Sequence, residues 1–159
     1  MRHFAITLSL ALLAICGAAG AAGGLSPISN DQLAKIQRAL QPKASSPELV
    51  AAISEAAPSI SSFLEINSCL PGYNASALNV LAAPGKLYPS FNYLGAPMPL
   101  MRRHSKSTCV SVFRVHGWVM PSKNALRFEV VYVAEDSGES ERAEHEVQRQ
   151  PGGEWLFVK

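Results

Sequence analysis

Residues 126–133 read LRFEVVYV, and the alternation in this stretch decides the fold. Large apolar side chains occupy every second position, and Arg127 and Glu129 stand between them. A period of two places successive side chains on opposite faces of a β-strand. The apolar set consists of Leu126, Phe128, Val130 and Tyr132. The stretch therefore predicts an antiparallel strand with one buried and one solvated face.

Three further strands are expected around this one, because short turn sequences separate runs of β-forming residues. The turns fall at residues 121–124, 136–140 and 151–153, all rich in Pro, Gly, Asp, Asn or Ser. The four strands are predicted at residues 109–120, 126–133, 143–150 and 155–158. Connections this short join antiparallel neighbours, so the sequence predicts a four-stranded meander.

The chain before the sheet carries helix signals. A capping box at Ser29 and Gln32 begins a short amphipathic helix, and Ser46 begins a longer one. Pro58 lies within the apolar stripe of the longer helix and predicts either a kink or two abutting helices. A third, short helix capped by Asn74 is also expected. Two or three helices packed on an antiparallel meander make an α+β fold.

A long crossing segment, residues 70–108, separates the helices from the sheet. It is rich in proline and glycine, which interrupt every periodic run, and equally rich in apolar side chains. We expect an ordered but irregular loop. Helices, a crossing and then four antiparallel strands resemble the element order of cystatin-like and NTF2-like domains, in which a curved sheet wraps N-terminal helices.

The beginning of the chain has the three-part layout of a secretory signal peptide. Arg2 precedes an apolar run at residues 4–15, and a tract of small residues follows. Ala19 and Ala21 fit the cleavage pattern, which predicts a signal peptide at residues 1–22. The apolar run is shorter than the roughly 20 residues that span a bilayer, so no transmembrane segment is expected.

Residues 23–159 would then form one exported domain, periplasmic or secreted, close to the modal domain size. Cys16 leaves an alternative open, because a cysteine at the end of an apolar run can be the lipidated first residue of a lipoprotein. That form would be anchored to a membrane surface, and the cleaved form would be free.

Cys69 and Cys109 are the cysteines that remain after the signal peptide is removed. An even count in an exported chain favours a disulfide between them. A sulfur held in a disulfide cannot attack a substrate, which argues against a cysteine nucleophile beside His104 or His116.

The charge of the chain excludes a general nucleic-acid binder, since its formal net charge is only +2. The distribution is uneven: no Asp or Glu lies between Ile66 and Phe128, and acidic residues dominate from Glu129 onward. Such a division can mark a binding face. The simpler interpretation is cross-strand pairing of basic and acidic neighbours.

The basic loop, Met101–Lys106, is the sharpest local feature of the sequence. It contains Arg102, Arg103, His104 and Lys106 and has no acidic neighbour that the strand assignment reveals. Held near the disulfide, these side chains could bind a protein partner with an acidic surface. The alternative is a solvated loop without a partner.

A second kind of site would use the sheet face. His116, Trp118 and Tyr132 could line an apolar pocket of an NTF2-like domain. Such a pocket needs room between helices and sheet. That room would be filled if both layers buried Leu49, Ile53, Ile60, Phe63, Leu126, Phe128 and Val130. His145 is expected at an exposed strand edge, and the scattered histidines predict neither metal ligands nor any cofactor.

The sequence thus favours a non-catalytic exported binding domain, in concrete form an inhibitor or immunity-type protein that engages an envelope partner. A small-molecule or enzymatic pocket protein is the alternative, and a structural envelope component remains by default. No catalytic residue is assigned.

Overall fold

The structure is a computed structural model that describes residues 28–41, 46–70, 76–86 and 96–159. The described residues form an α+β fold, which confirms the predicted class. The helices are α1 (Asn30–Ala39), α2 (Pro47–Asn67), a 3₁₀ helix (Ser76–Leu81) and α3 (Pro97–Leu100). The strands are β1 (Ser111–Ser122), β2 (Ala125–Val133), β3 (Ser140–Arg149) and β4 (Trp155–Phe157). The predicted signal peptide, Cys16 and the Asn74 cap lie outside these residues.

The four strands form one antiparallel sheet in the order β1-β2-β3-β4, as the short turns predict. The inward-facing residues of β2 are fully buried, which confirms the alternation in LRFEVVYV. Beyond β4, Ala82 bridges Phe157, and the Ala83 N–H donates to the Phe157 carbonyl at 2.8 Å. The long strand β1 lies at the opposite edge of the sheet.

The two predicted helix caps that lie within the described residues are present. Ser29 and Gln32 form the capping box of α1, and the Ser46 hydroxyl accepts the Leu49 N–H at 3.1 Å at the start of α2. Pro58 lies inside α2 without dividing it into two helices. Pro58 is exposed, so water can bind the carbonyl that its missing N–H leaves free.

Helix α2 supplies most of the helical side of the core. Its apolar face packs on the inner face of the sheet, where the Phe63 ring stacks on Phe157 with centroids 4.0 Å apart. By length and composition alone α2 could cross a membrane, a test that buried core helices also pass. The residues that would exclude a pocket are buried or, for Leu49, packed against the core. Within the described residues, side chains thus occupy the space that the pocket hypothesis required.

Strand β1 departs from the predicted alternation. Its pairing with β2 shifts at Phe113 and again near Gly117, which has a φ of 66°. An extra residue at each bulge moves the following side chains to the other face. Val115 and Trp118 consequently contact the core, whereas Phe113 is 70% exposed and His116 lies on the outer face.

His145 is not an exposed edge residue, so that expectation is wrong. Strand β4 pairs with the edge of β3 that β2 leaves free, so β3 is not an edge strand, and the His145 side chain lies on the inner face of the sheet and is 1% exposed. Its ring lies 4.7 Å from Phe63 and 5.8 Å from Phe128, measured between centroids. Burial lowers the pKa of His145 to about 4, and the nearby Lys159 backbone only partly offsets this effect. The ring is therefore neutral in the folded protein near pH 7.

Candidate functional site

The predicted disulfide fixes one end of the segment that contains the basic loop. Cys69, just after α2, is bonded to Cys109, and their Cα atoms lie 4.4 Å apart. The Val110 N–H donates to the Ser68 carbonyl at 2.9 Å beside the bridge. The loop therefore enters β1 from a point attached to the helical layer.

Glu139 holds the backbone of the basic loop from the β2–β3 turn. Its carboxylate accepts the N–H of Arg102 at 3.0 Å, of Arg103 at 2.6 Å and of His104 at 2.8 Å. Hydrogen bonds to an ionised acceptor are stronger than those between neutral groups. One side chain thus fixes the conformation of three consecutive residues.

Asp136, in the same turn, holds the next part of the loop. One carboxylate oxygen accepts the Ser105 N–H at 2.9 Å, and the other lies 2.8 Å from Nδ1 of His104. The second ring nitrogen of His104, Nε2, lies 3.0 Å from the Thr108 carbonyl. We call the pair Asp136 and Glu139 the clamp.

The clamp corrects the expectation that the basic loop has no acidic neighbour. The acidic residues belong to a turn more than 30 positions further along the chain, and only the sheet brings them beneath the loop. The clamp binds backbone amides and the buried His104 ring. Arg102 and Arg103 remain exposed, and Lys106 is half-buried at a φ of 60°.

The same contacts set the charge of the clamp. The Ser105 backbone, followed by the His104 side chain, holds the pKa of Asp136 well below its usual range. Burial opposes ionisation of Glu139, but the amides of Arg103, His104 and Arg102 outweigh it and lower its pKa. Both carboxylates are ionised at neutral pH and offset part of the loop's positive charge.

A polar groove of about 660 Å³ runs between this segment and the start of α1. Ser107, Thr108 and Glu135 are among the residues that line it. Glu135 accepts the Ser111 hydroxyl at 2.6 Å and lies 3.4 Å from Nζ of Lys35, and these contacts lower its pKa. The groove therefore carries mixed charge beside the basic loop.

Ion pairs on the outer face of the sheet account for part of the uneven charge distribution. Arg127 meets Glu146 at 3.0 Å across β2 and β3, and Arg142 meets Glu129 at 3.3 Å. Lys159 also pairs with Glu144. Cross-strand neutralisation, the simpler interpretation of the sequence, therefore applies to the sheet. Among the described ion pairs, none uses Arg102 or Arg103.

The residues of the alternative pocket are not brought together. His116 lies on the outer face, with Nε2 3.9 Å from a Glu129 oxygen. Trp118 lies on the inner face against Phe128, with ring centroids 4.9 Å apart. Tyr132 is fully buried, and its hydroxyl accepts the Asn67 side-chain amide at 3.0 Å. The β1 bulges, which the sequence pattern did not reveal, separate His116 from the other two.

Within the part of the chain that the structure describes, no group of three His, Cys, Asp or Glu residues could hold a metal ion. No family model, curated protein or solved structure matches this chain. The likeness to cystatin-like and NTF2-like domains thus remains one of element order.

Proposed function

We propose that the chain is an exported, disulfide-stapled binding domain that engages an acidic surface of a partner protein through its basic loop. The form we favour is an inhibitor or immunity-type protein that occludes a cleft of an envelope partner. One observation carries the proposal: the clamp binds the backbone of the loop and leaves the guanidinium groups of Arg102 and Arg103 at the surface.

A clamped loop suits binding because its order is established before the partner arrives. Ordering a flexible loop on association would subtract from the affinity, and a preformed loop avoids most of that loss. Arginine also matches carboxylates through two parallel N–H donors. Two adjacent exposed arginines on a fixed backbone therefore favour an acidic protein surface as the target.

Two features support the exported location in this proposal. The leader pattern at residues 1–22 is typical of exported chains, and disulfides persist in oxidising compartments. The Cys69–Cys109 bridge also supports the loop from the helical side. A domain stabilised in this way is suited to the periplasm or the exterior of a cell.

The test compares three versions of the mature protein as bait in an extract of the exported proteins of the producing cell. The first is wild type, and the second carries Arg102→Gln, Arg103→Gln and Lys106→Gln. The matched control carries Arg38→Gln, Arg114→Gln and Lys123→Gln, which remove the same charge from exposed positions on α1, β1 and the β1–β2 turn.

Wild type and the control should recover one protein in stoichiometric amount, and the loop variant should not. Recovery should fall as salt is raised, because exposed charges are screened over about 8–10 Å at physiological ionic strength. Equal recovery by all three baits, or no stoichiometric protein at all, would contradict the proposal.

A further inference from the structure

The buried ring of His104 lies between two oxygen atoms. Its side chain is 0% exposed, with Nδ1 2.8 Å from Oδ1 of Asp136. On the other side of the ring, Nε2 lies 3.0 Å from the carbonyl oxygen of Thr108. Both distances are those of hydrogen bonds.

Neither oxygen can supply a proton. A carbonyl only accepts hydrogen bonds, and so does an ionised carboxylate. Neutral imidazole carries one N–H and imidazolium carries two, so both contacts are hydrogen bonds only in the cationic form. We infer that His104 is held as an imidazolium and acts as a pH-dependent latch of the basic loop.

Carboxylates near the ring favour its cationic form, and basic residues of the same loop oppose it. Asp136 faces Nδ1, and Glu139 accepts the backbone N–H of His104 itself. Arg103 and Lys106 flank His104 within the loop. Beyond Thr108, the groove is lined by the charged residues Asp31, Lys35, Glu135 and Asp136. Lys35 is paired with Glu135, and the charged group in direct contact with the ring is Asp136.

If the ring lost its second proton, one ring nitrogen would have no N–H. The lone pair of that nitrogen would then face a lone pair of the oxygen beside it, either that of Asp136 or that of Thr108. Because the ring is enclosed, water cannot take the place of the missing donor while the loop stays closed, and a buried polar group without a partner is unfavourable. The basic loop would relieve this unfavourable contact by moving away from the β2–β3 turn. Acid would not have the same effect in this range, since the pKa values of Asp136 and Glu139 are held low.

The latch makes the presentation of Arg102 and Arg103 dependent on pH. When the loop is closed, both arginines are held on a fixed backbone. When the loop is open, their backbone is no longer fixed. This consequence for partner binding rests on the function proposed above. The inference that the His104 ring is cationic does not depend on that function. The two can therefore fail separately.

The experiment is a pH titration of the mature, oxidised protein by NMR, from about pH 5 to about pH 9, which covers the range in which histidines ordinarily change charge. The ¹⁵N resonances of the His104 ring report which nitrogens carry a proton. Hydrogen exchange of the Arg103 and His104 amides, corrected for intrinsic pH dependence, reports whether the loop is closed. His104→Gln is the test variant, and His116→Gln, on the outer sheet face, is the matched control.

Both ring nitrogens should be protonated wherever the two amides are protected. Exchange should then accelerate at least about tenfold as the ring loses a proton, which reflects loss of one charge-assisted hydrogen bond. His104→Gln should abolish this pH dependence, and His116→Gln should keep it. If His104→Gln does not fold, the wild-type titration and the His116→Gln control still decide the question.

A neutral His104 ring beneath protected amides would overturn the latch, as would protection that does not change across the ring's titration. Neither result affects the bait comparison, in which His104 is not altered. The NMR titration could agree with the latch while all three baits recover the same proteins equally. That combination would overturn the proposed partner but not the latch.

Discussion

The carboxylate of Glu139 accepts the backbone N–H of Arg103 at 2.6 Å and thereby joins the β2–β3 turn to the loop that precedes β1. The two residues are separated by the whole of β1 and β2. Because the contact uses the backbone of Arg103, its side chain is left for other interactions. The clamp and the charge of the loop can therefore be perturbed independently.

Removing the Glu139 half of the clamp should open the loop without unfolding the domain. Glu139→Ala deletes the acceptor of three backbone amides, so trypsin should cleave after Arg102 and Arg103 at least about tenfold faster. Timed digestion followed by mass spectrometry measures the rate. Glu154→Ala, in the exposed β3–β4 turn, is the control and should digest like wild type. Equal cleavage of the two variants would contradict a holding role for Glu139.

Removing the loop charges should leave stability nearly unchanged. The triple variant Arg102→Gln, Arg103→Gln and Lys106→Gln alters side chains and keeps the backbone contacts of the clamp. We expect a change in the free energy of unfolding of less than about 0.5 kcal/mol, as for most surface substitutions. Thermal and urea denaturation measure it. A melting temperature several degrees lower would mean that these charges belong to a structural network.

The Cys69–Cys109 disulfide should form in the protein purified from an oxidising compartment. Intact mass after alkylation, with and without reductant, should show two thiols only in the reduced sample. Replacing both cysteines by serine should lower the free energy of unfolding by about 2–5 kcal/mol, because the cross-link restricts the unfolded chain. Alkylation of two thiols without reductant would show that the bridge is absent.

The neutral, buried His145 should make the fold sensitive to acid. Its pKa is lowered from 6.5 to about 4 by burial, so the unfolded state binds the proton more readily. Stability is therefore full above pH 6.5 and is lost as the pH falls toward 4, by up to about 3 kcal/mol at 1.36 kcal/mol per pKa unit.

His145→Phe and His145→Leu should flatten this acid dependence, because neither replacement can bind a proton. Urea unfolding between about pH 7 and 4 measures it, and the difference from wild type removes the contribution of the other titrating groups. His116→Phe, on the outer face, is the control that should keep the wild-type slope. The same slope in all four proteins would show that His145 does not lose its proton on folding.

The buried hydrogen bond between Asn67 and Tyr132 should contribute measurably to stability. Tyr132→Phe removes a hydroxyl that accepts from Asn67 at 3.0 Å in a fully buried site. We expect a loss of about 1–3 kcal/mol, because an Asn67 donor loses its acceptor. Burial also raises the pKa of Tyr132, so its absorbance should show no phenolate until alkali unfolds the protein. A phenolate that appears at the ordinary pKa of tyrosine, with the fold intact, would contradict this burial.

Local patterns determined most of the elements, although α3 lies in a segment that the sequence predicts to be irregular. The alternation in LRFEVVYV fixed the inner face of β2, the Ser29–Gln32 box fixed the start of α1, and an even cysteine count indicated the disulfide. Each depends on neighbours along the chain or on the cysteine count, so one sequence suffices to predict it. The order of the strands followed as well, since short turns leave antiparallel neighbours as the only arrangement.

Contacts between distant segments were decided only by the tertiary structure. Alternation cannot show that a bulge at Phe113 turns the following side chains over, nor that His145 meets the rings of Phe63, Phe128 and Phe157 in the core. The clamp is the same kind of case: Asp136 and Glu139 look like solvated turn acids until the sheet places them under the basic loop. Sequence by itself determined which groups could bind, and the packing of remote strands decided which of them meet, because hydrogen bonds and burial depend on distance in space.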